Sequence, residues 1–149
     1  MKKIVEKLSM MGETISFVES MTGGKVASEL VKVSGASKVF KEAFVLYSDD
    51  TKSKRLEIDA KIILQYGVVS EYIAGLMAKK LHDLTKATLC LSITGFAENR
   101  APNEAFIGIY YRNVLKVYHM IFKDSNDRMK NIDLCVNRAK DLLNVTLKI

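Results

Sequence analysis

The chain has 149 residues, 48% of them hydrophobic and 27% charged, the proportions of one globular domain that needs no disulfide or metal staple. No apolar run approaches the ~20 residues that span a bilayer. The basic start Met1-Lys2-Lys3 lacks the apolar stretch of a secretory signal, and Cys90 and Cys135 sit inside apolar segments, so a cytoplasmic protein with no membrane association is expected. Twenty-three basic and 17 acidic residues leave a net charge of +6, which suits a phosphate-bearing partner. The one tight basic group, Lys52-Ser53-Lys54-Arg55, follows Asp49 and Asp50 directly, and such interleaved acids argue against a nucleic-acid surface.

Ile4, Val5, Leu8 and Met11 recur at helical spacing and stop at Gly12. Glu13 to Val18 alternates polar and apolar residues as a strand does. Thr22-Gly23-Gly24 opens a second helix with Val26, Ala27, Leu30 and Val31 on its apolar face, and Ser34-Gly35-Ala36-Ser37 breaks it. Ala43 to Tyr47 is a continuous apolar run, the pattern of a buried strand. A short apolar group at Ile62, Ile63 and Tyr66 precedes Gly67. Ser70 and Glu71 then start a helix with Ile73, Leu76, Met77, Leu81 and Leu84 on one face.

Thr88 to Thr94 reads as a third strand ended by Gly95, and Glu98 to Glu104 as a loop around the single proline, Pro102. Ala105 to Tyr111 and Val114 to Phe122 form a hairpin turning at Arg112-Asn113, and a long helix follows from Ser125 onward. Early strands separated by helices, then a hairpin and a last helix, predict one α/β domain over residues 1–149. Its expected form is a three-layer α/β/α sandwich with a mixed, mostly parallel sheet.

Two segments carry chemistry. Glu19-Ser20-Met21-Thr22-Gly23-Gly24 lies between a strand and a helix, which places Ser20 at the carboxyl edge of the sheet, where open α/β folds bind ligands. The helix start offers N–H groups to an anion; its plainer reading is a loop with Thr22 as helix cap. The second segment is Tyr47-Ser48-Asp49-Asp50-Thr51-Lys52. There a desolvated Lys52 at the same edge could accept a proton from a serine, and the plainer reading is a solvated helix start. His82 and His119 lack neighbours at metal-ligand spacing, and no P-loop, dinucleotide fingerprint or Gly-x-Ser-x-Gly elbow occurs.

In order along the chain, Glu19-Ser20-Met21-Thr22-Gly23-Gly24, Ser34-Gly35-Ala36-Ser37, Val45-Leu46-Tyr47-Ser48-Asp49-Asp50-Thr51-Lys52, Gly67-Val68-Val69-Ser70-Glu71, Ile93-Thr94-Gly95 and Asn126-Asp127-Arg128 resemble the motifs of the CinA C-terminal domain family. That family includes nicotinamide-nucleotide amidohydrolases, and the match resembles their stand-alone form. The resemblance implies a three-layer fold, often a homo-oligomer of two or more chains. It also implies hydrolysis of the carboxamide of nicotinamide mononucleotide to nicotinate mononucleotide and ammonia, with no metal or other cofactor. By the same resemblance Ser20 is the nucleophile, Lys52 its base and Tyr47 an aid to proton transfer. Thr22, Gly23, Gly24, Ser37, Thr94, Gly95 and Arg128 would bind the substrate, its phosphate resting on Thr22-Gly23-Gly24.

The chain departs from the family pattern in three places. Met21 replaces a cysteine, Asp49 an asparagine, and a glycine-rich loop after Ile-Thr-Gly becomes Phe96-Ala97-Glu98-Asn99-Arg100-Ala101-Pro102. Glu98 there is expected to repel a phosphate-bearing ligand. A nucleotide-binding module of altered specificity, without catalysis, stands as the alternative.

Overall fold

The computed structural model describes residues 1–123 and 125–149. Five strands form one sheet in the order β2-β1-β3-β4-β5: β1 (Ile15–Glu19), β2 (Phe40–Val45), β3 (Leu89–Phe96), β4 (Glu104–Tyr111) and β5 (Val114–Ile121). β1 runs parallel to both β2 and β3, whereas the β3–β4 and β4–β5 pairings are antiparallel. Half the pairings are thus parallel, yet four of the five strands point the same way. Side chains that alternate along each strand feed two cores, one on each face.

On one face Ile15, Phe17, Leu89, Leu91 and Ile93 pack under α1 (Lys2–Met11), α2 (Lys25–Val31) and α6 (Arg128–Leu147). On the other, Val18 and Cys90 meet α3 (Asp49–Leu56), α4 (Ala60–Tyr66) and α5 (Glu71–Thr85). This gives the three layers. The connection β1–α2–β2 leaves on one face, and β2–α3–α4–α5–β3 returns on the other. The strand order therefore reverses around β1, and that reversal opens a crevice beyond its carboxyl end.

Local chemistry sets the boundaries. α1 ends where Gly12 turns left-handed (φ 64°) and its N–H reaches back to the helix carbonyls. Ser48, Ser70 and Asp127 cap α3, α5 and α6, each accepting a bond from a first-turn N–H. Arg112 and Asn113 both have positive φ (49° and 64°), the two-residue turn whose twist suits a hairpin. Glu13 steadies that turn through two bonds from Arg112 and one from the Tyr111 hydroxyl. Gly108 lets α5 lie directly on the sheet: a Cβ there would stand 2.5 Å from both the Ala74 carbonyl oxygen and the Ser92 hydroxyl.

Two expectations change. The apolar run Ala43 to Tyr47 is not a buried strand. β2 spans Phe40–Val45 at the sheet edge, with most of its residues half-exposed or exposed, and Tyr47 lies beyond it, 60% exposed. An edge strand carrying Lys41 and Glu42 outward resists pairing with a second sheet. Strand β3 does not stop at Gly95 but continues to Phe96, because Gly95 and Phe96 still pair with Ala105 and Glu104.

Candidate active site

Ser20 follows β1 directly, and its N–H is held by the Ile93 carbonyl of the neighbouring strand at 3.1 Å. Its side chain is nearly buried and opens into a cavity of about 500 Å³. Met21, Tyr47, Asp49, Lys52, Thr94, Gly95, Glu98 and Arg128 line the same cavity, with Val68 and Val69 along one wall. Ends of three parallel strands, the start of α3 and the start of α6 thus meet in one place.

Lys52 is the least ordinary member. It is 1% exposed, on a helix whose other charged residues face solvent. Lys52 and Leu56 stand four residues apart and so share the inward face of α3. Its Nζ lies 3.8 Å from Asp49 Oδ1. Desolvation holds the ammonium below its ordinary value of 10.5, and the Asp49 carboxylate opposes that shift without cancelling it.

Arg128 opens α6 and donates Nη1 to Glu98 Oε1 at 3.0 Å and Nη2 to the Tyr47 hydroxyl. Glu98 and Tyr47 together hold the guanidinium more firmly charged. Because Tyr47 accepts from Arg128, its own hydroxyl hydrogen is free to turn into the cavity. Glu98 is therefore not a loose repulsive charge, as the sequence suggests, but the partner of the arginine expected to meet the ligand. Thr94 is buried and gives its hydroxyl hydrogen to the Val68 carbonyl at 2.8 Å, which leaves its oxygen only as an acceptor. A Cβ on Gly95 would come within 2.4 Å of Met21 Sδ and 2.6 Å of the Glu104 carbonyl, so that glycine sets the cavity floor.

The helix start that was to cradle phosphate is already filled. Glu19, fully buried beneath α2, accepts bonds from Gly24, Val26 and Ala27 N–H and from the Thr22 hydroxyl. Gly23 and Gly24, with φ of 62° and 90°, wrap the backbone over this carboxylate. Thr22, Gly23 and Gly24 serve an internal cap, and none of them lines the cavity. Ser37 lies apart as well. It sits exposed on the turn Ala36–Lys38 before β2, beside Val39, whose carbonyl accepts from the N–H of Ile15, the first residue of β1. That is the amino end of the parallel strands, opposite to Ser20.

Sequence reasoning missed what fastens the loop between β3 and β4. Asn103 donates to the Ser125 carbonyl and to Asn126 Oδ1, and Asn126 exchanges bonds with Asn99. Buried Asn131, on α6, donates to the Ala97 carbonyl. Four asparagines thus bolt the loop to the head of α6. The cluster of asparagines was visible in the chain, but residues 99 and 126 have no sequence signal that pairs them. Among the described residues no group of three or more metal-binding side chains assembles, and no helix is long and apolar enough to cross a membrane.

Known proteins share this architecture. A solved competence or damage-inducible protein from Enterobacter asburiae superposes with a TM-score of 0.91 at 23% identity, covering 98% of this chain and 94% of that one. The competence/damage inducible protein CihA from Agrobacterium tumefaciens gives a TM-score of 0.87 at 25% identity, covering 99% and 92%. Relatives named competence-damage inducible protein include one from Finegoldia magna, 34% identical over 113 residues, which are 76% of this chain and 28% of that protein. Another, from Alkaliphilus metalliredigens, is 34% identical over 148 residues, 95% of this chain and 34% of its own length. The chain thus spans about a third or less of these two relatives. The model of the CinA C-terminal domain matches residues 1–147, and with that match the chain belongs to the CinA C-terminal domain family.

Proposed function

We propose that this protein is a serine–lysine amidohydrolase that deamidates nicotinamide mononucleotide to nicotinate mononucleotide and ammonia. The observation that carries the reading is a desolvated Lys52 in the cavity that also holds Ser20. A lysine serves as base only when neutral, and burial is what makes a neutral lysine accessible near physiological pH.

The chemistry follows from these groups. Lys52 Nζ takes the Ser20 proton as Oγ attacks the carboxamide carbon, and the C=O π pair moves onto oxygen. Collapse of that adduct breaks the C–N bond, and the proton held by Lys52 goes to the departing nitrogen, releasing ammonia. Water then attacks the resulting ester, Lys52 again accepts a proton, and Ser20 leaves with it. The sum is amide plus water giving acid plus ammonia. Tyr47, whose hydroxyl accepts from Arg128 and keeps its own hydrogen free, aids these proton transfers.

Ammonia release from nicotinamide mononucleotide tests this directly, with Ser20→Ala as the comparison. The wild-type chain should turn over and the alanine variant should fall by at least about 10³-fold, the usual loss for an activated nucleophile acting with its base. A variant within a few-fold of wild type removes Ser20 from the mechanism.

A further inference from the structure

The helix start and the arginine expected to hold a ligand phosphate each already hold a carboxylate. Glu19 takes the N–H groups at the start of α2, and Glu98 takes Arg128 at the head of α6. The remaining cavity charges leave little for an anion. Lys52 must be neutral to act as a base, and its nearest charge is Asp49. Arg100 is exposed at the mouth with its guanidinium 4.9 Å over the Phe96 ring, where water screens its pull on an anion.

From this we infer that Glu98 is a specificity-determining residue: a built-in counter-anion for Arg128 that makes the site nearly indifferent to a phosphate on its substrate. The substrate class is then an N-ribosylated nicotinamide with or without the phosphate, nucleoside as well as nucleotide. This rests on the amidohydrolase reading for the identity of the base and ribose, but not for the indifference to phosphate, which is a property of binding.

Two features make Glu98 a fixed occupant rather than a passing one. The asparagine bolt anchors the backbone on both sides of it, through Ala97 and Asn99, to α6 and to the segment before it. Arg128 is on that same helix, so donor and acceptor are positioned by one element. An incoming phosphate must therefore compete with a carboxylate that loses little freedom by staying. None of the bolt's bonds uses the Glu98 side chain, so removing it leaves the loop in place and the arginine free.

The experiment measures dissociation constants by calorimetry for nicotinamide mononucleotide and its dephosphorylated nucleoside, in a Ser20→Ala background that prevents turnover. In that parent the two should agree within about threefold, the effect of exposed charge alone. Glu98→Ala should favour the nucleotide by about tenfold or more, because a free arginine can then clasp phosphate. Adding Arg128→Gln should return the ratio to the parental value, and Glu98→Gln, which keeps the side-chain size, should move it in the same direction as Glu98→Ala. A parental preference for the nucleotide of about tenfold overturns the inference. So does an unchanged ratio in both Glu98 variants, or the failure of either ligand to bind. Failure of the amidohydrolase reading would show separately, as no ammonia from the wild-type chain with the binding ratios intact.

Discussion

A buried lysine carries a cost that its proposed role as a base explains. The folded chain holds Lys52 below 10.5, while the unfolded chain leaves it near that value. Between the lowered folded pKa and 10.5 the unfolded state binds more protons, so this residue's contribution to stability rises with pH across that window. Below the window it is a constant penalty. Lys52→Met keeps the volume and removes the charge. It should therefore unfold at higher temperature at neutral pH, by about 1–3 kcal/mol of stability, while losing the proposed amidase activity altogether. Lys52→Arg keeps a charge that cannot be shed and should be equally inactive. In wild type kcat/KM should climb as pH rises through the folded pKa of Lys52. Thermal melts and rate profiles from pH 6 to 10 check all three, and an active arginine variant would make Lys52 a charge stabiliser instead.

Helix α5 depends on one missing side chain. At Gly108 the sheet accepts the Ala74 backbone at a distance no Cβ allows, and Ser92 completes the contact with a 2.6 Å bond to the Ala74 carbonyl. Backbone on both sides cannot yield as a side-chain tip can. Gly108→Ala should cost about 2–4 kcal/mol, at or above the usual range for overpacking. It should also lift α5, and with it Val68 and the Thr94 contact, so KM should rise along with the loss of stability. Urea titration and steady-state kinetics read both effects, and a neutral variant would mean that the helix shifts freely. Such close approaches also mark what the sequence could tell. Periodicity gave α1, α5, α6 and the hairpin, because burial on one face writes itself into spacing. It read β2 as buried, since an apolar run looks the same at an edge as in the middle. It joined Ser20, Tyr47 and Lys52 through their shared strand ends, but Arg128 entered only by resemblance. The Glu19 cap and the asparagine bolt went unread, because a buried carboxylate and a distant amide pair leave no period.

Across the whole molecule, the two cysteines report on the two cores separately. Cys90 lies under α5 and Cys135 on α6, on opposite faces of the sheet, both fully buried. Burial pushes each thiol up to about 12, so neither is reactive while folded. If the layers unfold as one cooperative unit, a thiol reagent should label both at the same rate with the same denaturant dependence. Mass spectrometry of partly labelled chains would then show zero or two adducts and few with one. A large singly labelled population would mean that one layer opens while the other stays closed.

The placement of Arg128 at the head of α6 has a bearing on biosynthesis. At a synthesis rate of ~5–20 residues per second, the ribosome makes Ser20 roughly 5–20 s before Arg128. Throughout that interval the nascent chain has Ser20 but neither the guanidinium that meets Tyr47 nor the bolt that anchors the loop. Helix α6 also covers the core beneath Ser20's own strand. The proposed Ser20 site is therefore incomplete until α6 has begun, and a chain cut short before Arg128 lacks the wall that Arg128 and Glu98 close across the cavity.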